Sequence, residues 1–107
     1  HIHWIPSTAD TGNIKFDIEY TWTNIDDTVS TNTTMVTNTY AITASEINKH
    51  KTTNVPSVGI SGTGKTVSSM LLITCSRDIT VASNYPADIR LLEFDIHYLR
   101  NKFGKDL

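Results

Sequence analysis

The chain contains a single cysteine, Cys75, so no disulfide can form within it. Because free cysteines are among the most buried residues, and because Cys75 ends the largely apolar run 70–75, we expect a buried thiol. No apolar run approaches the roughly 20 residues of a membrane span, so membrane insertion is not expected. Basic residues are also too few for nucleic-acid binding: 9 Lys and Arg against 11 Asp and Glu give a net charge of -2.

Polar and apolar residues alternate without a break along residues 14–22, which is the two-residue period of a β-strand. One face of this strand is wholly apolar or aromatic, and it carries Ile14, Phe16, Ile18, Tyr20 and Trp22. Residues 92–98 repeat the alternation near the other end. We therefore predict two long, half-buried strands whose apolar faces meet in one core, with Trp4, Phe94 and Tyr98 among its aromatic residues.

The whole sequence is expected to form one domain, residues 1–107, because this length supports a single core. The late strand extends over roughly 89–99, and the pattern predicts further strands over 1–5 and 52–61, an edge strand within 28–43, and a strand over 67–73 that is buried on both faces. Ser45 is the candidate cap of a single helical turn in 44–49. Six to eight strands indicate an all-β, antiparallel two-sheet β-sandwich, jelly-roll-like.

Residues 59–66 satisfy the phosphate-loop pattern G-x-x-x-x-G-K-T letter for letter. That loop binds phosphate only between a strand and a helix of a parallel sheet. The residues after Thr66 are better read as a strand, and no alternation of strands and helices follows. We therefore interpret 59–66 as a glycine-rich hairpin turn with an exposed Lys65.

His1 and His3 stand two residues apart, so on a strand they lie on one face and can share a metal ion. His97, on the outward face of the last predicted strand, joins them if the two strands are neighbours. Three imidazoles suit zinc, or iron where a threefold axis gathers the pair from three chains. No other cofactor is expected.

Nearby carboxylates offer a simpler explanation of these histidines. Asp95 and Glu93 can pair with them without any metal. The same two acids share a strand face, as a glycosidase pair would, but acids on the polar face of an amphipathic strand need no further explanation. We expect no catalytic residue, and we expect His50, among lysines and threonines, to be a solvated surface side chain.

Tyr40 and Tyr85 are in or beside predicted loops and are therefore less constrained than the aromatic residues of the core. Together with Asn84, they are the candidate ligand-binding residues, since tyrosine rings can stack on a sugar. The loops 24–34 and 78–88 would then present them to a binding partner.

Five stretches of the sequence resemble a small β-rich domain of tailed-phage structural proteins, of tail-fibre, tail-spike or neck-appendage type. They are HIHWIPST (1–8), TGN (11–13), EYTWTNI (19–25), ISGTGKTVSSML (60–71) and LLEFDIHY (91–98). The resemblance covers residues 1–98 and departs in the threonine-rich middle and in the tail. The pair His1 and His3 resembles the histidine pairs that hold a metal on the threefold axis of some phage fibres.

The resemblance implies a non-enzymatic virion module that forms a homotrimer, contacts other virion domains and binds a host receptor, often a surface glycan. Two alternatives stay open: a purely structural capsid or neck decoration domain, and a carbohydrate-binding accessory domain of a polysaccharide depolymerase. The sequence begins with His1 rather than Met, which we interpret as a domain excised from a longer virion protein. The expected location is the surface of the phage particle.

Overall fold

The computed structural model describes residues 1–98, which form six β-strands and one short 3-10 helix. The elements in chain order are β1 (Ile2–Pro6), β2 (Gly12–Thr23), β3 (Thr34–Ile42), the 3-10 helix (Ala44–Glu46), β4 (Lys51–Thr53), β5 (Met70–Asp78) and β6 (Ile89–Phe94). The strands pair antiparallel in two three-stranded sheets, sheet A with order β4-β1-β6 and sheet B with order β3-β2-β5. The prediction of an all-β, antiparallel two-sheet sandwich is confirmed.

The core lies between the two central strands, as their alternation predicts. Ile14, Phe16 and Ile18 of β2 are buried, and they face Ile2 and Trp4 of β1. Each of these strands turns its polar side chains outward, so a single apolar face per sheet is removed from water. This burial stabilises the sandwich.

Only β2 and β3 are consecutive strands of one sheet, and every other connection passes from one sheet to the other. Such crossings are typical of Greek-key and jelly-roll sandwiches. Within residues 1–98 no helix is long and apolar enough to cross a lipid bilayer.

Three predicted elements differ from the observed ones. The strand predicted over 52–61 is only Lys51–Thr53, because Pro56 has no backbone N–H to donate to a ladder. β5 begins at Met70 rather than at 67 and continues to Asp78. The helical turn in 44–49 is a 3-10 turn that starts after Thr43, whose backbone N–H donates to the Glu46 carboxylate at 2.7 Å, so Ser45 is not its cap.

Burial of β5 on both faces and burial of Cys75 were wrong predictions. β5 is an edge strand with one neighbour, and Met70 and Leu72 on its outer face are exposed. Cys75 pairs with the buried Ile18 across the sheet and therefore points inward, yet it is exposed. The sandwich is open along this edge.

The second long strand also differs from its prediction. β6 ends at Phe94, and Ile96 and Tyr98 follow it outside any strand, with 58% and 75% of their surface exposed. Phe94 is 39% exposed, so the expected aromatic packing at this end is replaced by an apolar surface. Residue 99, which the prediction included, lies outside the described residues.

Candidate metal centre

All four histidines of the sequence meet in one cluster, which also contains Asp95. We call this group the histidine cluster; its members are His1, His3, His50, His97 and Asp95. It lies on the outward side of sheet A, where β1 begins and β6 ends. Residues from three separate parts of the chain are therefore brought to one point.

The order of strands in sheet A explains this convergence. Ile2 and Trp4 are buried, so the alternation of β1 turns His1 and His3 outward. β4 and β6 flank β1 on either side. His50 precedes Lys51, which pairs with Trp4, so it lies diagonally beside His3, whereas residues 95–97 follow Phe94, which pairs with Ile2, and lie beside His1. Two backbone hydrogen bonds hold residues 95–97 beside the start of β1. The His1 nitrogen donates to the Asp95 carbonyl oxygen at 2.8 Å, and the Asp95 nitrogen donates to the His1 carbonyl oxygen at 3.0 Å.

Asp95 is the centre of the contacts. Its Oδ2 lies 3.2 Å from His3 Nε2 and 3.2 Å from His97 Nε2. The second ring nitrogen of His3, Nδ1, lies 2.8 Å from His50 Nε2. The rings of His1 and His97 are tilted against each other with centroids 3.9 Å apart.

The carboxylate of Asp95 is held in its ionised form. Its partial burial acts to raise the pKa, but the facing imidazole of His97 and the hydrogen bonds from His3 and His97 outweigh this, so the pKa of Asp95 lies below its ordinary value. Its Oδ1 is buried and accepts no hydrogen bond from residues 1–98. The His1 backbone nitrogen lies 3.5 Å from Oδ1. A buried carboxylate oxygen without a donor is an available ligand atom.

The structure brings together the three predicted histidines and adds two residues to them. His1, His3 and His97 share one site, and Asp95 pairs with two of them. The alternative of simple ion pairing expected this contact of Asp95, but the contact that it expected of Glu93 does not form within residues 1–98. His50 is an exposed surface side chain, as predicted, but it also contacts His3, which the sequence did not indicate. No local motif marks His50; only the pairing of β4 with β1 reveals it.

The candidate ligand-binding residues Tyr40, Tyr85 and Asn84 do not form an exposed platform. Tyr85 is fully buried in the core, and its hydroxyl accepts a hydrogen bond from the backbone nitrogen of Thr8 at 2.9 Å. The expectation that Tyr85 is a free loop side chain was therefore wrong. Asn84 Oδ1 accepts a hydrogen bond from Arg77 at 3.3 Å, so it too has a structural partner.

Tyr40 is part of strand β3 rather than of a loop. Its ring packs edge-on against Trp4, with centroids 5.5 Å apart, and its hydroxyl donates to Glu46 Oε1 at 2.6 Å. The ammonium group of Lys51 lies 4.9 Å from the ring centroid and also binds Glu46. Both the face and the hydroxyl of Tyr40 are thus engaged, which leaves little of it for a sugar.

The phosphate-loop pattern is a structural turn. Residues 67–69 are not helical, and β5 starts at Met70, so the helix that such a loop needs does not follow. Lys65 Nζ donates to the backbone oxygen of Trp22 at 2.6 Å, which ties the turn to the end of β2. The predicted turn and the exposed Lys65 are confirmed, but the hairpin was wrong, because the strands on either side, β4 and β5, belong to different sheets.

An apolar cleft of about 450 Å³ opens beside the histidine cluster, at the end of the sandwich where β6 stops. Its floor is formed by Ile2 and Ile18 of the central strands, and its walls include Leu71, Ile73 and Phe94. A second, shallower groove of about 370 Å³ lies beside loop 24–33; it is polar and is lined in part by Trp22, Asp27, Asn32 and Lys65.

Comparison of the chain with protein-family models, with curated proteins and with solved structures finds no match. Function is therefore inferred from the fold, from the geometry of these surfaces and from the sequence motifs.

Proposed function

We propose that this chain is a non-enzymatic module of a bacteriophage virion, of tail-fibre or tail-spike type, which associates as a homotrimer and binds a host surface glycan or protein. The motif resemblance supplies the virion setting. A two-sheet β-sandwich with an open apolar edge supports the assembly role. The single observation that carries the proposal is the exposed apolar surface along β6.

The register of β6 against β1 shows which of the exposed side chains of β6 point into the sandwich. Leu91 and Phe94 pair with Trp4 and Ile2, and residues paired directly across antiparallel strands point to the same side of the sheet. Trp4 and Ile2 are fully buried, whereas Leu91 is 62% and Phe94 39% exposed. These two side chains point into the sandwich and yet reach solvent.

More apolar side chains extend the same surface. Leu92, at the bulge of β6, is 52% exposed, and Ile96 and Tyr98 continue beyond the strand. We call this set the β6 surface; it comprises Leu91, Leu92, Phe94, Ile96 and Tyr98. Groups of exposed apolar side chains mark association sites, and within residues 1–98 β6 is an edge strand whose outer side pairs with no other strand. Further copies of the chain packed on the β6 surface would cover both its apolar side chains and the unpaired edge of the strand.

Contact with the host is assigned to the polar groove beside loop 24–33. The groove combines hydroxyl, amide and carboxylate side chains, such as Thr28, Asn32 and Asp27, with one indole, that of Trp22. Polar hydrogen-bonding groups beside an aromatic ring suit a sugar. The other predicted loop, 78–88, contributes less, because Tyr85 within it is buried.

Oligomeric mass tests the assembly role. In size-exclusion chromatography with light scattering, we expect the chain to elute at three times the mass of one copy. Leu91→Lys places a charge on the β6 surface and should yield monomers. Val29→Lys is the matched control, because Val29 is similarly exposed at 55% but lies in loop 24–33. A monomeric parent chain, or trimers that survive Leu91→Lys and Phe94→Lys, would contradict the assembly role.

A glycan array tests the receptor role. We expect binding to at least one bacterial surface glycan, with loss of that binding in Asp27→Ala and Asn32→Ala and no loss in Asp10→Ala, an exposed acid outside the groove. A trimer that binds neither glycans nor host cells would contradict the receptor role and favour a decoration domain. Hydrolysis of the glycan that Asp95→Asn abolishes would contradict the non-enzymatic assignment.

A further inference from the structure

We propose that His1, His3 and Asp95 bind one divalent transition-metal ion within a single chain, with Zn²⁺ as the expected ion. His50 and His97 orient these ligands. The proposal does not depend on the virion function, because every residue that it uses belongs to one copy.

The spacing of the donor atoms fits a metal ion. One ligand atom from each of His1, His3 and Asp95 can be chosen so that all three lie within 4.8 Å of one another. Zinc bonds of 2.0 to 2.1 Å in a tetrahedron place ligand atoms roughly 3.4 Å apart. The 3.2 Å between His3 Nε2 and Asp95 Oδ2 is already close to that value. The third ligand atom, on His1, lies within 4.8 Å of both and would have to approach further to complete the set.

The chemistry of the donors favours zinc. Two imidazole nitrogens and one carboxylate oxygen, with a fourth position left open, form a common zinc ligand set. The same two-histidine, one-carboxylate set binds iron(II) in other proteins, but for a given set of nitrogen and oxygen donors zinc binds more tightly than iron(II). Zinc is therefore the ion to test first.

The surrounding contacts resemble those that hold metal ligands in place. Metal-binding histidines use their second ring nitrogen in a hydrogen bond, and His3 Nδ1 has His50 Nε2 as its partner at 2.8 Å. Without an ion, His3 Nε2 donates to Asp95 Oδ2 at 3.2 Å. Metal binding uses the other tautomer, in which His3 Nδ1 carries the proton and donates to His50 Nε2, so that Nε2 has a lone pair for the ion. A cation between His3 Nε2 and Asp95 Oδ2 would then replace the hydrogen bond.

A second, independent observation also points to a cation. Asp95 Oδ1 is buried and accepts no hydrogen bond within residues 1–98; the His1 backbone nitrogen lies 3.5 Å from it. Buried carboxylate oxygens normally have a donor or a metal ion. His97 fixes the other oxygen, Oδ2, from the exposed side. Asp95 is thus oriented but incompletely satisfied.

Isothermal titration of Zn²⁺ into the full chain, prepared without a polyhistidine tag, tests the proposal. We expect one Zn²⁺ per chain, and with Co²⁺ the strong visible absorption of a tetrahedral site. His3→Ala and Asp95→Asn should each abolish both signals. Asp10→Asn, which removes an exposed carboxylate beyond the other end of β1, should leave them unchanged. Circular dichroism of each variant shows whether the sandwich has folded, and His1→Ala, at the start of β1, provides a ligand variant with little effect on the core.

A substitution of His50 tests whether this residue positions a metal ligand or binds the metal ion itself. His50→Gln should weaken Zn²⁺ binding by about 10- to 100-fold without abolishing it, as is usual when a partner of a metal ligand is lost. Absence of Zn²⁺ and Co²⁺ binding by the parent chain would overturn the proposal, as would unchanged binding in folded His3→Ala and Asp95→Asn. A stoichiometry of one ion per three chains would overturn the single-chain site in favour of a shared one.

Discussion

The indole nitrogen of Trp4 donates a hydrogen bond of 3.0 Å to the hydroxyl oxygen of Thr53, and both residues are buried. Trp4 is in the central strand of sheet A, and Thr53 ends the short edge strand β4. The bond satisfies the one polar group of a large core side chain. It therefore ties the shortest strand of the sandwich to the centre of the core.

Loss of this acceptor should destabilise the fold. Thr53→Val keeps the shape of the side chain but leaves the buried indole N–H unpaired, which costs about 1 to 3 kcal/mol of unfolding free energy. Chemical denaturation measures the change, with Thr52→Val, an exposed neighbour on β4, as the control. If Trp4→Phe and Thr53→Val prove additive in the double variant, the hydrogen bond contributes nothing and the interpretation fails.

Gly12 should tolerate no side chain. Its φ of +149° is one that other residues rarely adopt, and a Cβ there would lie 2.7 Å from the backbone of Tyr85 and 2.8 Å from the carbonyl oxygen of Ser83. The approach is close because the Tyr85 backbone N–H donates to the Asn13 carbonyl oxygen at 2.9 Å and the Asn13 N–H donates to the Ser83 carbonyl oxygen at 2.8 Å. Gly12→Ala should lower the free energy of unfolding by about 2 to 4 kcal/mol, because the substitution causes both backbone strain and a clash with backbone atoms.

Gly59→Ala is the matched control for this prediction. Gly59 also has a positive φ, +82°, but a Cβ there meets nothing within 4 Å. Its substitution should cost only the conformational part, about 1 kcal/mol. Equal losses in thermal or denaturant unfolding of the two variants would show that the packing of Gly12 against the segment 83–85 has no energetic weight.

The local alternation of polar and apolar residues predicts the burial of the central strands but not the exposure of the edge strands. Ile14, Phe16 and Ile18 are buried as the period of β2 requires, because a central strand is covered on both sides by neighbours. The same apolar character in β5 and β6 led to a prediction of burial, but these are edge strands, and edge position is set by strand order. Strand order depends on long-range pairing that no short window of sequence contains.

Part of the candidate site likewise follows from the local sequence, and the rest depends on long-range strand pairing. The spacing of His1 and His3 on one strand places them on one face, and that much follows from the sequence. His50 joins them only because β4 pairs with β1, across 47 positions of the chain. Tyr85 shows the reverse error: its position beside Pro86 indicates a loop, but the loop folds back so that the ring fills the core.

Arg77 should hold that loop in place. Its guanidinium donates to the carbonyl oxygens of Ala87 at 2.9 Å and Tyr85 at 2.6 Å, and it lies 5.8 Å from the Tyr85 ring centroid. Arg77→Lys keeps the charge but cannot span two acceptors with a planar fork. We expect faster native-state hydrogen exchange in residues 82–88, by about 10-fold or more, for a local loss of about 1.5 to 3 kcal/mol.

The control for Arg77 is Arg90→Lys, since Arg90 is exposed on β6. It should leave exchange in residues 82–88 unchanged. Exchange that rises equally across the whole sandwich in Arg77→Lys would indicate global destabilisation and would contradict a local role.

Glu46 should make stability depend on pH in the acidic range. Hydrogen bonds from Lys51, from the Thr43 backbone and from Tyr40 lower the pKa of Glu46 to about 2, from its ordinary value of 4.5. Because the folded pKa is the lower one, the contribution is fully present above about pH 4.5 and is lost as the pH falls towards 2. At pH 7, Glu46→Gln should lower the free energy of unfolding by about 1 kcal/mol, because solvent partly screens the interactions of this carboxylate.

The difference in unfolding free energy between the parent chain and Glu46→Gln should therefore shrink steadily between pH 4.5 and pH 2. Denaturant titrations at several pH values measure it, and comparing the two chains cancels the other groups that titrate in the same range. Glu19→Gln, an exposed carboxylate on β2, serves as the control and should differ little from the parent at any pH. A Glu46→Gln deficit that stays constant down to pH 2 would mean that shape, rather than the charge of the carboxylate, holds Tyr40 and Lys51 together.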